Sequence, residues 1–216
     1  MKFERLLVSG EVVKRPDWII IAICRWPVIG LLTFLVMMDP ALAHDELEGG
    51  AGFLAGLLHP ALGFDHLLAM LSVGILSAQI GGNAIWHVPA TFVLIMIVGG
   101  ILGMQSIGVP LVEIGIAVSV LVLGLALAAE KFVPEWIALI CVGVFGIFHG
   151  HAHGTEMPLI ANPWVYGLGF VIGTALIHTI GVAIGFGFRR LQKGPYFLRF
   201  TGIAIAGAGG YFLLPY

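Results

Sequence analysis

Charged side chains are scarce in this chain: 10 Lys and Arg and 12 Asp and Glu among 216 residues, or 10% against the roughly 25% of a soluble domain. So little polar surface cannot cover a water-facing globule, which excludes a soluble enzyme and a disordered tail. Basic runs are missing and the formal net charge is −2, so nothing favours nucleic acid as a partner. Cysteine numbers two, Cys24 and Cys141, with no CxxC pair. That excludes a disulfide scaffold and the common cysteine redox and metal motifs. No GxxxxGK[ST] phosphate loop occurs, and no soluble segment is large enough to hydrolyse ATP. What remains is apolar text, 59% hydrophobic, interspersed with 31 glycines. Small residues let helices approach closely in lipid, so the chain reads as an all-α integral membrane protein.

Residues 1–43 resemble an export signal. Lys2, Arg5, Lys14, Arg15 and Arg25 form a long basic region, and Trp26–Met38 is a short apolar run. Ala41-Leu42-Ala43 supplies a small-x-small cleavage pattern with His44 as the new N-terminus. The other reading is an uncleaved anchor running back through Trp18–Cys24. Cleavage removes Cys24 and leaves Cys141 as a packing residue in an apolar helix.

Residues 44–216 read as one bundle of six transmembrane helices. The expected spans are Pro60–Ile80, Ile85–Met104, Pro110–Ala129, Trp136–His153, Pro163–Phe188 and Phe197–Leu214, each near the ~20 residues that cross a bilayer. Ala51–Leu58 is a shorter apolar piece leading into the first span. Breaks fall at Gly81-Gly82-Asn83, Gly108 with Pro110, Pro134, Asn162-Pro163 and Gly194-Pro195. If His44 starts outside, then Lys131, Arg189, Arg190, Lys193 and Arg199 all fall on the cytoplasmic side, as the positive-inside rule requires. Both mature termini then face the periplasm of a bacterial inner membrane. Glycines four apart at Gly99/Gly103, Gly146/Gly150, Gly169/Gly173 and Gly181/Gly185 read as helix-packing faces.

Polar residues inside a chain this apolar are the informative ones, because each is expensive to place in lipid. His59-Pro60-Ala61-Leu62-Gly63-Phe64-Asp65-His66 heads the first span. His59 and His66 share a face if the helix is continuous, and Asp65 is placed to ligate a cation or fix a histidine tautomer. Phe148-His149-Gly150-His151-Ala152-His153-Gly154-Thr155-Glu156 closes the fourth span. His149 and His153, at i and i+4, stand one above the other; His151 points away unless Gly150 and Gly154 break the helix. The first span runs inward and the fourth outward, so both clusters meet at the periplasmic mouth, joined by Glu113 of the third span. Neutral imidazole with carboxylate suits a divalent transition metal.

Other polar residues have weaker readings. His178, midway along the fifth span, is either a second station on a metal path or a packed core residue. His87 reads as structural. Glu113 is equally able to snorkel to the interface. His44 and the acidic residues after it either gather cations or form a solvated tail.

The two motifs, HPALGFDH at 59–66 and FHGHAHGTE at 148–156, resemble the paired HPxxGxDH and FHGxAHGxE signatures of the HupE/UreJ family, small bacterial membrane proteins. The resemblance extends to the export signal, the six spans and the motif order. It implies a nickel permease linked to hydrogenase or urease maturation, with cobalt as a related cargo. It also implies that His59, Asp65, His66, His149, His153 and Glu156 are functional positions, while His151 occupies a variable one. On this reading the protein is no enzyme and holds no prosthetic group; Ni2+ or Co2+ is its substrate. A divalent cation gains about 4.6 kcal/mol per 100 mV on entering a cell, enough for more than a thousandfold accumulation without ATP. The rival readings are an intramembrane zinc-dependent hydrolase and a nickel-binding accessory protein.

Ligation needs neutral imidazole, whose unperturbed pKa is ~6.5, so uptake is expected to fall below about pH 6. Radiometal uptake that stayed flat down to about pH 5 would contradict imidazole ligation.

Overall fold

The computed structural model describes residues 51–129, 133–157 and 162–214; the export signal, His44 and Lys131 lie outside them. The described residues form seven helices and no strand: α1 (Ala51–Leu62), α2 (Phe64–Ile80), α3 (Ala84–Met104), α4 (Val112–Ala128), α5 (Glu135–Thr155), α6 (Pro163–Arg190) and α7 (Gly194–Phe212). Three of these, α3, α5 and α6, are long and apolar enough to cross a membrane, and α1 with α2 makes a fourth if the bent pair is one span. The apolar α4 has 17 residues and a length of about 25 Å.

Local chemistry sets the helix ends. Asn162 accepts from the backbone N–H groups of Trp164 and Val165 at 3.0 and 3.3 Å, while Pro163 fills the first turn of α6. Between α2 and α3 the chain turns through Gly81 and Gly82 with φ of 80° and 56°, values that glycine adopts without steric strain.

The expectation of one helix over Pro60–Ile80 needs correction. Helix α1 takes in the whole of Ala51–Leu58 and continues through Pro60 to Leu62. The chain then breaks at Gly63, which is extended at φ −84° and ψ 117°, and α2 leaves at 82° to α1. Pro60 is accommodated near the end of α1, where its missing N–H removes a single helical bond. Gly63 suits the corner because a Cβ there would fall 3.0 Å from His66 Nδ1 and 3.1 Å from Asp65 Oδ1. His59 and His66 therefore do not share the face of one helix; the bend, not periodicity, brings them together. At the third expected span, the helix starts at Val112 instead of Pro110, because Leu111 takes a left-handed conformation at φ 58°.

Helix α3 packs along α5, α4 along α7, and both α1 and α2 against α6. All four glycine pairs lie in these seams. A Cβ on Gly146 would stand 2.9 Å from Phe92 O, and one on Gly99, Gly103 or Gly150 would be driven still further into Ile147, His151 or Met96. Gly169 and Gly173 lie in the same way against Phe53 and Leu57 of α1, and Gly181 and Gly185 against Leu71 and Ala78 of α2. Sequence reading did not single out Gly124, Gly202 and Gly209, which seat α4 on α7.

The two ends of the bundle differ in chemistry. The Gly63 corner and the end of α5 share one end. At the other, Arg189 donates to Ala78 O at 3.0 Å near the end of α2, with Arg190 and Lys193 beside it in sequence.

Candidate metal site

Helices α2 and α5 approach through their backbones at few points, and imidazoles fill the space between them. The His59 ring, 24% exposed, stands at the rim with its centroid 4.8 Å from that of His153. His153 lies 4.2 Å from His66, and His66 lies 4.8 Å from His149. Each of these three contacts is edge-to-face. The run goes from half-buried His59 through buried His153 and His66 to the fully enclosed His149. Phe170 of α6 packs on His153 at 4.4 Å and Tyr166 on His59 at 5.8 Å, walling one side with aromatic rings.

The two carboxylates play different parts. Glu156 caps α5 at the rim, where its Oε2 accepts from His59 Nε2 at 3.2 Å and lies 3.6 Å from His153 Nδ1. The adjacent His153 and His59 imidazoles hold the Glu156 carboxyl far below the usual carboxylate range, so it stays charged throughout mildly acidic and neutral pH. Asp65 sits at the start of α2 and accepts from both the backbone N–H and the Nδ1–H of His66 at 2.8 Å. It orients His66, as a carboxylate behind a ligating histidine commonly does.

At the rim, one ligand atom each from His59, His153 and Glu156 can be chosen within 4.8 Å of one another. Ligands ~2.1 Å from one first-row cation stand ~3.4 Å apart in a tetrahedral site and at most ~4.2 Å apart across it, so the three must draw closer to bind one ion together. Further in, His66 Nε2, His149 Nδ1 and both nitrogens of His153 are buried without a hydrogen-bond partner. Buried polar atoms are normally paired, and leaving one unpaired costs about 1–3 kcal/mol. A file of bare imidazole nitrogens is what a coordinating cation needs.

The remaining candidates are placed as follows. His178 is buried beyond Phe92, whose ring lies 5.2 Å from it and 5.4 Å from His149, and neither His178 nitrogen has a partner. His151 turns away from the cluster and donates from Nε2 to Ile107 O at 2.9 Å, in the loop after α3. Glu113 is exposed in the first turn of α4, with no hydrogen bond or ion pair to the cluster. His87, read as structural, pairs with Glu135 at 2.7 Å and ties the start of α3 to the start of α5 at the opposite end of the bundle. Cys141 is free and half-buried.

Two motifs from distant segments thus converge on one histidine cluster. A family model described as HupE / UreJ protein matches residues 32–212. The chain belongs to the HupE/UreJ family. Protein HupE of Rhizobium leguminosarum bv. viciae is 40% identical over 183 residues, covering 84% of this chain and 95% of that protein. No solved structure matches. In this family member, sequence reading missed Ser119, whose Oγ lies 2.9 Å from His149 Nε2, and the Phe92 ring between His149 and His178. It also missed Glu135. A lone serine and a lone phenylalanine on apolar helices carry no sequence signal that separates them from packing residues.

Proposed function

We propose that this protein imports Ni2+, or the closely related Co2+, across the bacterial inner membrane as a secondary permease driven by the membrane potential. The observation that carries this reading is the file of imidazoles from His59 to His149, partly exposed at one end and ending at the other in buried ring nitrogens without a hydrogen-bond partner. A hydrated cation exchanges water for His59, His153 and Glu156 at the rim, the His59 proton moving from Nε2 to Nδ1 so that the nitrogen facing Glu156 is free to ligate. It then passes to His66, held by Asp65, and to His149. His178 is the next imidazole inward, while His151, Glu113 and His44 are at most accessory to this path.

The membrane arrangement in this proposal is six spans, with α1 and α2 forming one bent crossing and α4 and α7 completing the count. Residues 1–43 are a cleaved signal, and both mature termini are periplasmic. Support comes from the position of Arg189 at the end opposite the cluster: the positive-inside rule favours the basic end in the cytoplasm and, with it, the histidine rim in the periplasm. The family membership supports a link to nickel delivery for hydrogenase or urease.

Cells lacking other nickel importers test the reading by radiolabelled nickel uptake in competition with cobalt, zinc and copper. Expression of this protein should restore uptake, with cobalt the strongest competitor of nickel; no restoration would reject it. Glu156→Gln, which keeps the shape but removes the charge at the rim, should raise the half-saturating nickel concentration about tenfold and leave maximal uptake nearly unchanged. An unaltered half-saturation value would remove Glu156 from the entry site.

A further inference from the structure

Ser119 is fully buried in α4, and its hydroxyl has a single hydrogen. Its Oγ lies 2.6 Å from Ile116 O, and two oxygens that close must have a proton between them; only the serine can supply it. The same Oγ lies 2.9 Å from His149 Nε2. With its own hydrogen engaged, Oγ can only accept there. His149 therefore carries its proton on Nε2 and leaves Nδ1 bare, and Nδ1 is buried without a partner. His66 is fixed in the opposite sense. The Asp65 carboxylate accepts from Nδ1–H at 2.8 Å, which leaves Nε2 bare, again buried and unpartnered. The two rings meet edge-to-face with centroids 4.8 Å apart.

We propose that Ser119 is a positioning residue that fixes the tautomer of His149, and that His149 Nδ1 and His66 Nε2 together form an inner cation station separate from the rim group of His59, His153 and Glu156. The rim offers a carboxylate; the inner station offers neutral nitrogen alone. Imidazole nitrogen binds first-row transition metals in preference to Mg2+ and Ca2+, which require oxygen, so the inner station acts as a second selection step. Ser72 and Ser77 donate only to carbonyls of their own helix, at 2.7 and 2.8 Å. Ser119 adds a histidine to that common bond. The assignment deepens the permease reading but is tested apart from transport.

The experiment uses the full chain in lipid with 15N-labelled histidine, and the His149 signals are assigned by their loss in His149→Asn. Without metal, solid-state NMR should show His149 protonated on Nε2 and bare on Nδ1. Ser119→Thr, which keeps a hydroxyl, should preserve this tautomer, whereas Ser119→Ala should give a mixture. A wild-type proton on Nδ1, or an unchanged tautomer in Ser119→Ala, overturns the role of Ser119. Paramagnetic Ni2+ is then titrated in, and a ligated ring is marked by its contact shift, which travels through the metal–nitrogen bond. In the wild type contact shifts should appear on His66 and His149 as well as on His59 and His153. In Glu156→Gln the inner pair should still shift, at higher concentration. Contact shifts confined to the rim rings overturn the inner station. In uptake assays Ser119→Ala should need about tenfold more nickel for half-saturation, with Ser119→Thr close to wild type. Should the inner rings bind nickel while the wild type moves none, the permease reading fails and the station stands.

Discussion

Replacing His66 with alanine should abolish nickel uptake while the protein still inserts and folds. His66 lies 4.2 Å from His153 and 4.8 Å from His149, so its removal takes away the imidazole that α2 places between the two rings of α5 and leaves those two without a ligand from the facing helix. The fold should tolerate the loss. The change opens a small cavity in the core, but it also removes a buried nitrogen that has no partner. Asp65→Ala should act through the same ring. Without the carboxylate the tautomer and orientation of His66 are no longer set, and uptake should fall by about 10–100-fold. Membrane insertion followed by protease protection, measured beside radiometal uptake, separates the two effects. Full uptake by either variant would remove the first motif from the path.

Gly150→Val should deplete folded protein more than any substitution among the histidines. A Cβ at Gly150 is driven into Met96 O and comes 2.8 Å from Gly100 N, so backbone, not a pliable side chain, obstructs it. Helices α3 and α5 would have to separate along a seam that also holds Gly99, Gly103, Gly146 and Gly154. Overpacking costs about 1–3 kcal/mol where side chains can adjust, and a rigid backbone contact belongs at or above the top of that range. Gly143 on the same helix is the control. A Cβ there meets Thr91 and Ile95 side chains at 3.9 and 4.0 Å, ordinary contact distances. Gly143→Ala should retain the wild-type melting temperature in detergent-solubilised protein, whereas Gly150→Val should lower it steeply or yield aggregate. Equal melting temperatures would show that the α3–α5 seam is looser than described.

Both results depend on features that differ in how far the sequence reveals them. The convergence of His59–His66 with His149–Glu156 was legible, because alternate helices reverse direction and the two motifs occupy the start of one helix and the end of another. The four glycine pairs were legible too, since a spacing of four places both residues on one helix face. The sharp corner was not. Pro60 and Gly63 are both plausible breaks, and the choice depends on the Asp65–His66 pair that occupies the space a Cβ at Gly63 would need. Ser119 was silent for a related reason. Serines in apolar helices routinely bond to carbonyls of their own preceding turn, as Ser72 and Ser77 do, and only the packing of α4 near α5 adds His149. Glu113 shows the opposite failure: a carboxylate near the correct end of its helix is still exposed, because helix direction fixes depth but not the face presented.

The most direct measurement of the central claim is radiolabelled nickel accumulation in proteoliposomes containing only the purified protein, with an imposed inside-negative potential. Nickel should concentrate in the lumen in proportion to that potential, stop when the potential is collapsed, and remain at the level of empty vesicles with His66→Ala. Stoichiometric nickel binding to the wild-type protein with no potential-dependent accumulation would contradict the account, leaving a protein that holds the metal without moving it.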